Sequence, residues 1–385
     1  MPRKICVVIT SHIHYTRTRL VLRELQARPD VSLQIAVGAS AILPQYGDAL
    51  SAMAEDKFTY DAKITMTLAG GTPVAMAKTT GIGVTEFATA FENLQPDLVV
   101  VRGDRYEVLS AAVAAAYMNI PVAHIEGGDI TGSIDESVRH AVTKLSHIHF
   151  ATNAASAKRI IRMGEDPRYV FDVGAPEIEQ LEAHTGSITS EQINRHGVGA
   201  DLDLQKPYIL VIHHPVTTEP EQNRAHTAML LDALSQNGLQ VIWFWPNVDA
   251  GTDEVSKAIR VFREHNDPRS MRFAKYLPTQ EFLSLLKGCA CIVGNSSSGI
   301  KEASFLGVPA VNVGTRQAGR LRADNVIDVP YDATQLRDAI TRQSAIGRYP
   351  RSDLYYKPKS SKTIANILAT TDLYVQKRFH VDSDE

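Results

Sequence analysis

One pattern constrains this chain more than any other: short, unbroken apolar runs alternate with longer stretches of helical spacing. Ile5–Thr10, Leu33–Val37, Leu98–Val101, Val122–Ile125 and Tyr169–Val173 read as strands, with Arg17–Ala27, Ala111–Tyr117 and Ser137–Ser146 as helices between them. A strand that is apolar at every position is buried on both faces, as in a parallel sheet covered by helices. A polar, glycine-containing segment, Glu177–Lys206, interrupts the series. The alternation then restarts with strands at Tyr208–Ile212, Val241–Trp245, Cys291–Val293, Ala310–Val313 and Val326–Val329. Helical patterns at Ala225–Leu234, Thr252–Glu264, Glu281–Leu286 and Ile300–Leu306 separate them. Two such series predict an α/β chain with two doubly wound halves facing a cleft. The 385 residues suit two domains, and 44% hydrophobic residues suffice for two cores.

The formal net charge is -3, with acids and bases interspersed. No basic stripe points to nucleic acid or an anionic membrane. Cys6, Cys289 and Cys291 are too few for a disulfide framework or a zinc site and read as small buried side chains, the last two sharing a strand face. The apolar run near the N-terminus is better read as a strand than as a signal peptide, and no run approaches the length of a membrane span. A cytoplasmic protein without metal or cofactor is the expectation.

In open α/β sheets, ligands bind beyond the carboxyl ends of the strands. Arg102-Gly103-Asp104-Arg105 follows one strand: Asp104 could orient a hydroxyl or move a proton, leaving an Arg for phosphate, although a salt-bridged surface turn would use the same residues. His124, Glu126-Gly127-Gly128-Asp129 and Ser133-Ile134-Asp135-Glu136 follow the next, where Ser133 and Glu136 also fit a capping box. Carboxylates gathered at one sheet edge push their pKa values apart, the route to acid and base roles at neutral pH. His213-His214 ends a strand of the second series, where one of the two His side chains faces inward. Gly294-Asn295-Ser296-Ser297-Ser298-Gly299 offers N–H groups and hydroxyls to an anion at a helix start, with Glu302 one turn into the helix, placed to grip a ribose. Arg316 and Arg320 follow the next strand. Thr80-Gly81-Ile82-Gly83-Val84 lacks the third glycine and the preceding strand of a dinucleotide fingerprint. Ser11–Tyr15 reads as a loop, ligand-lining or merely connecting.

The stretches GDRYEVLS from Gly103, HIEGGDITGSIDESVRHAVTKLSHIH from His124, HHPVTT from His213, PNVDAGT from Pro246, GNSSSGIKEASFLGVPAVNVGTRQAGR from Gly294 and QKRF from Gln376 span most of the chain. They resemble the hydrolysing UDP-N-acetylglucosamine 2-epimerases, a group that includes the bacterial sialic-acid enzymes and the epimerase part of the animal bifunctional enzyme. The resemblance implies two Rossmann-like domains of glycosyltransferase-B type, here 1–185 and 186–365, with 366–385 as a helix crossing back to the first. It implies metal-free elimination of UDP to a glycal, hydration to free N-acetylmannosamine, and a homodimer or homotetramer. By position, Asp104, Glu126, Asp135 and His214 match the catalytic set. Arg105, Asn247, Leu277 through its backbone, Ser296, Ser297, Glu302 and Arg316 match the nucleotide contacts.

One segment departs from the family. Members follow the first strand with T-G-T-R-A-D-Y-G; here the chain reads Thr10-Ser11-His12-Ile13-His14-Tyr15-Thr16-Arg17, with Ile13 at the Arg position. His14 and Arg17 are the candidates to meet the ligand there, and the altered segment leaves room for a GDP-linked diamino sugar or another nucleotide sugar. A glycosyltransferase or a non-catalytic nucleotide-binding regulator on the same scaffold are the competing classes. The first would require an acceptor, and the second would tolerate Glu126→Gln.

Overall fold

The computed structural model describes residues 1–68, 70–247, 249–266 and 268–381. Strands β1 (Arg3–Ile9), β2 (Val31–Gly38), β3 (Ala62–Ile64), β4 (Leu98–Arg102), β5 (Val122–Ile125), β6 (Ile148–Ala151) and β7 (Val170–Asp172) form a parallel sheet in the order β3-β2-β1-β4-β5-β6-β7. Strands β8 (Val198–Gly199), β9 (Tyr208–Ile212), β10 (Gln240–Phe244), β11 (Met271–Ala274), β12 (Cys291–Gly294), β13 (Ala310–Val313) and β14 (Val326–Val329) form a second, in the order β14-β13-β12-β9-β10-β11-β8. Only its edge strand β8 runs antiparallel. The expected fold class, two doubly wound halves, is therefore present.

The helices are α1 (His12–Gln26), α2 (Ala49–Glu55), α3 (Pro73–Leu94), α4 (Tyr106–Tyr117), α5 (Ile134–Leu145), α6 (Ala154–Arg162), α7 (Pro176–Glu182), α8 (Ser190–Arg195), α9 (Asn223–Ser235), α10 (Thr252–Asn266), α11 (Thr279–Gly288), α12 (Glu302–Leu306), α13 (Ala333–Ile346) and α14 (Ser360–Thr370). Each sheet is covered on both faces by apolar clusters. A fifth cluster joins Ile178 and Leu181 of α7 to Leu283, Ile300, Phe305 and Tyr355, so the connector between the sheets is packed into the second half. Burying a side chain such as Ile178 or Ile300 fully contributes about 1.5–3 kcal/mol.

Several expectations need correction. Ser11–Tyr15 is not a loop: Ser11 has extended backbone and its Oγ accepts the amide of His14 at 3.1 Å, so α1 starts at His12. Cys289 caps α11 rather than sharing a strand face with Cys291, although all three cysteines are buried and free. The boundary drawn at 365 falls inside α14, which packs on α1. The tail beyond it is not helical; Lys377 Nζ donates to the Lys144 carbonyl at 2.7 Å and pairs with Glu165 at 2.7 Å. Thr80–Val84 lies within α3, consistent with discounting it as a fingerprint. Among the described residues no helix is long and apolar enough to cross a membrane.

Candidate active site

Both sheets have a switch point, and the two face each other. In the first sheet it lies between β1 and β4. The start of α1 and the Gly103–Arg105 turn meet there. His14 Nδ1 is 2.8 Å from Thr10 Oγ1, and burial, then Arg105 and Arg102, bring its imidazole down to about 3. Tyr15, at the departed family position, instead points into the first core and donates to Asp56. Ile13 is largely exposed, while His12 meets Tyr276 of the second half edge to face, ring centroids 4.2 Å apart.

In the second sheet the switch point lies between β9 and β12. Asn295 locks the two strand ends together: its Oδ1 accepts the His214 amide and its Nδ2 donates to the His214 carbonyl, each at 2.8 Å. Burial and the nearby Arg316 bring His214 down to about 3, so its ring is neutral. His213 is buried and stands 6.0 Å from the Tyr331 ring, the inward member of the pair. Ser296 caps a short 3-10 turn over Ser297–Gly299, and α12 is only five residues long with Glu302 as its first. Glu302 is therefore not one turn into a helix as expected. An anion placed here would meet local N–H groups and hydroxyls rather than a long helix dipole.

The carboxylates occupy distinct settings. Asp104 pairs with the buried guanidinium of Arg139. Burial opposes its charge, but Arg139 wins and the carboxyl lies below its usual range. Asp135 lies in the first turn of α5, and burial together with the charge of Asp104 pushes it up to about 6, against the pull of Arg316 at 3.6 Å. Ser133 Oγ accepts the Asp135 amide at 3.3 Å, whereas Glu136 takes the Thr131 amide at 2.7 Å, so the expected reciprocal capping box does not close. Glu126 follows β5 with φ +74°, rare for a side chain with a Cβ and costing of order 1–3 kcal/mol. Burial opposes its charge, yet Lys301, Arg102 and Arg17 hold it well below the usual carboxylate range.

Ion pairs close the seam between the halves. Arg17 Nη2 reaches Glu302 Oε1 at 2.7 Å and Ser297 Oγ at 3.3 Å. Arg105 grips Glu107 of its own half and Asp249 of the other, 2.9 Å in each case. Asn247 donates to Asp249 through its side chain and to His214 Nδ1 through its amide at 3.4 Å. Arg316 donates to the Asn295 carbonyl at 3.1 Å, and Arg320 stands 3.6 Å from Asp129. Leu277 is buried in the second core next to this edge. The halves touch so closely that a Cβ on Gly132 would lie 1.9 Å from the Thr315 carbonyl oxygen.

The structure thus gathers Asp104, Glu126, Asp135, His14 and Arg17 at the first sheet's edge, facing His214, Asn247, Ser297, Glu302 and Arg316. Of the two arginines beside Asp104, Arg102 is buried and paired with Glu126 and Glu177. Sequence reasoning missed Glu177, Asp249 and Lys301. Lys301 carries a signal in hindsight: a lysine between Ile300 and Glu302, in a turn otherwise made of small residues, has no reason to be fully buried unless it meets a carboxylate. Among the described residues no cluster of three or more His, Cys, Asp or Glu side chains is placed to hold a metal ion.

Two doubly wound halves that meet at their switch points, with carboxylates on one side and a serine-rich turn on the other, have the glycosyltransferase-B-like architecture found among nucleotide-sugar enzymes. The family model "UDP-N-acetylglucosamine 2-epimerase" matches residues 23–369, and the chain belongs to that family. It is 37% identical over 380 residues, 98% of each chain, to a hydrolysing UDP-N,N'-diacetylbacillosamine 2-epimerase of Legionella pneumophila. It is 32% identical to the GDP/UDP-N,N'-diacetylbacillosamine 2-epimerase (hydrolysing) of Campylobacter jejuni, over 85% of this chain and 84% of that one. The crystal structure of Methanocaldococcus jannaschii UDP-GlcNAc 2-epimerase in complex with UDP-GlcNAc and UDP superposes with TM-score 0.78 at 18% identity, covering 95% of this chain and 99% of that one.

Proposed function

We propose that this enzyme hydrolyses a UDP-linked 2,4-diacetamido sugar, UDP-N,N'-diacetylbacillosamine, releasing UDP and the free sugar inverted at carbon 2. The observation that carries the substrate is the near full-length similarity to the Legionella enzyme of that name. The departed segment after β1 is in keeping with it. UDP-N-acetylglucosamine, the substrate implied by the family resemblance, is the second reading, favoured by the description of the family model that matches residues 23–369.

The chemistry follows from the settings of the side chains. A base takes the carbon-2 proton as the carbon-1–oxygen bond to UDP breaks, leaving a glycal; water then returns a hydroxyl to carbon 1 and a proton to the opposite face of carbon 2. Asp135, near 6, can both take and give a proton at neutral pH. Asp104 and Glu126 stay ionised and fix charge around the reacting ring. Burial and Arg316 keep His214 neutral, and an arriving diphosphate would favour its protonated form. Ser296, Ser297 and Glu302 receive the nucleotide, and Arg17 and Arg316 turn from their carboxylate partners to the diphosphate.

The test is incubation with each UDP-sugar in D2O without an acceptor. Free 2-epimeric sugar carrying deuterium at carbon 2, with stoichiometric UDP, is expected from the diacetamido substrate at the higher kcat/KM. Turnover of UDP-N-acetylglucosamine alone moves the assignment to the second reading. Consumption of nucleotide sugar only when an acceptor is added, yielding a glycoside, sinks both.

A further inference from the structure

Lys301 is fully buried at the seam between the halves. Its ammonium contacts Glu126 Oε1 and stands 3.5 Å from Glu177 Oε1. Arg102 completes the group, reaching Glu126 Oε2 at 3.1 Å and also pairing with Glu177. These four residues come from three parts of the fold: the strand ends β4 and β5, the connector helix α7, and the turn leading into α12. The neighbouring residue, Glu302, makes the opposite pairing with Arg17. Adjacent side chains of one turn therefore hold a carboxylate and a guanidinium of the other half. That turn is the one that also presents Ser296 and Ser297.

Both oxygens of Glu126 are engaged by cations, but each keeps a second acceptor position. The left-handed backbone at Glu126 turns its side chain toward the second half, and such a conformation persists only where its surroundings over-determine it. The other titratable and charged groups around Glu126 are His14 and Arg17 of α1, Arg320 after β13, Tyr355 before α14, and the carboxylates of Asp104 and Glu177. Of the cations, Lys301 is the one in the nucleotide-side turn that makes direct contact with the Glu126 carboxylate.

We propose that Lys301 is a positioning residue. It reaches across the seam to hold Glu126 charged and aimed, and so ties the chemistry of the first half to the seating of the nucleotide on the Ser296–Glu302 turn. This rests on the epimerase reading for its activity readout but not for its electrostatic one.

Three variants test it: Lys301→Met, Lys301→Arg, and Lys301→Met combined with Glu177→Gln, which removes one charge of each sign. The substrate is whichever UDP-sugar the wild type hydrolyses, and UDP affinity is measured by calorimetry. Lys301→Met should lose about 100-fold in kcat, with KM and the UDP Kd changed by no more than about threefold. Isotope-edited infrared titration should find the Glu126 carboxyl about one unit higher, because it loses a cation that favours the charged form. Lys301→Arg should recover most of the rate. The double variant should fold and bind UDP as the wild type does, yet remain slow. Wild-type kcat in the double variant overturns the proposal, since charge balance alone would then suffice. So does a Lys301→Met variant that loses stability or UDP affinity but keeps kcat. If the wild type hydrolyses neither UDP-sugar, the functional reading fails, and Lys301 is judged by isotope-edited infrared titration of Glu126. An upward shift of about one unit in Lys301→Met supports the proposal, and no shift refutes it.

Discussion

Asp135 is the carboxyl group whose environment brings it closest to neutrality, and Arg316 is the handle on it. Burial and Asp104 push Asp135 up to about 6, while Arg316 at 3.6 Å pulls it down. At an effective dielectric of about 20, unit charges at that separation interact by about 4.6 kcal/mol. Both side chains retain some solvent, 15% for Arg316 and 26% for Asp135, so most of that is screened. A net effect of about one pKa unit, about 1.4 kcal/mol, is the expectation. The cation favours the ionised form, so Arg316→Gln should raise Asp135 from about 6 to about 7 and leave about half of it protonated at pH 7. The assay is the pH dependence of kcat, in which the position of the limb reports the group even if Arg316→Gln also weakens nucleotide binding. Arg316→Lys, which keeps the charge, should leave the limb within about 0.3 units. A limb that stays put in Arg316→Gln, or that survives unchanged in Asp135→Asn, refutes the assignment.

Other consequences follow from the seam. Arg102→Met leaves Glu126 and Glu177 short of a buried partner and should cost about 3–5 kcal/mol, read as a lower urea midpoint with an unchanged m-value. Acid should loosen the fold through the same groups and through Glu165. Burial opposes the charge of Glu165, but His149, Lys144 and Lys377 hold it at about 2. Its folded pKa is depressed, so its stabilisation is complete above about pH 4.5 and is lost as pH falls toward 2, which acid titration by circular dichroism would register. Lys377→Met should flatten that acid dependence. Gly132→Ala would force a methyl group against the Thr315 carbonyl and hold the halves apart, lowering kcat/KM by at least about tenfold with each half still folded.

The alternation of apolar runs determined the two sheets, because strands buried on both faces must be apolar at every position, and that is visible locally. Val122–Ile125, Tyr208–Ile212, Ala310–Val313 and Val326–Val329 coincide with β5, β9, β13 and β14. The alternation did not reveal β3, β6, β8 or β11; of these, β6 and β11 contain His149 and Arg272, which break the apolar run. Only tertiary partners make those residues burial-compatible: Glu165 at 3.0 Å for His149, and the carbonyls of Ile193 and His196 at 3.1 and 2.8 Å for Arg272. Placement of Asp104, Glu126, Asp135, His214 and the serine turn at strand ends was likewise legible, since the strand-end rule is topological. What each charge does was not. Whether Arg102 meets phosphate or Glu126, whether Asp135 lies near 4 or near 6, and whether Lys301 is solvated or sealed between two glutamates depend on distances between residues far apart in the chain. Coulomb interactions and desolvation are set by those distances and by burial, and only the packed molecule fixes either.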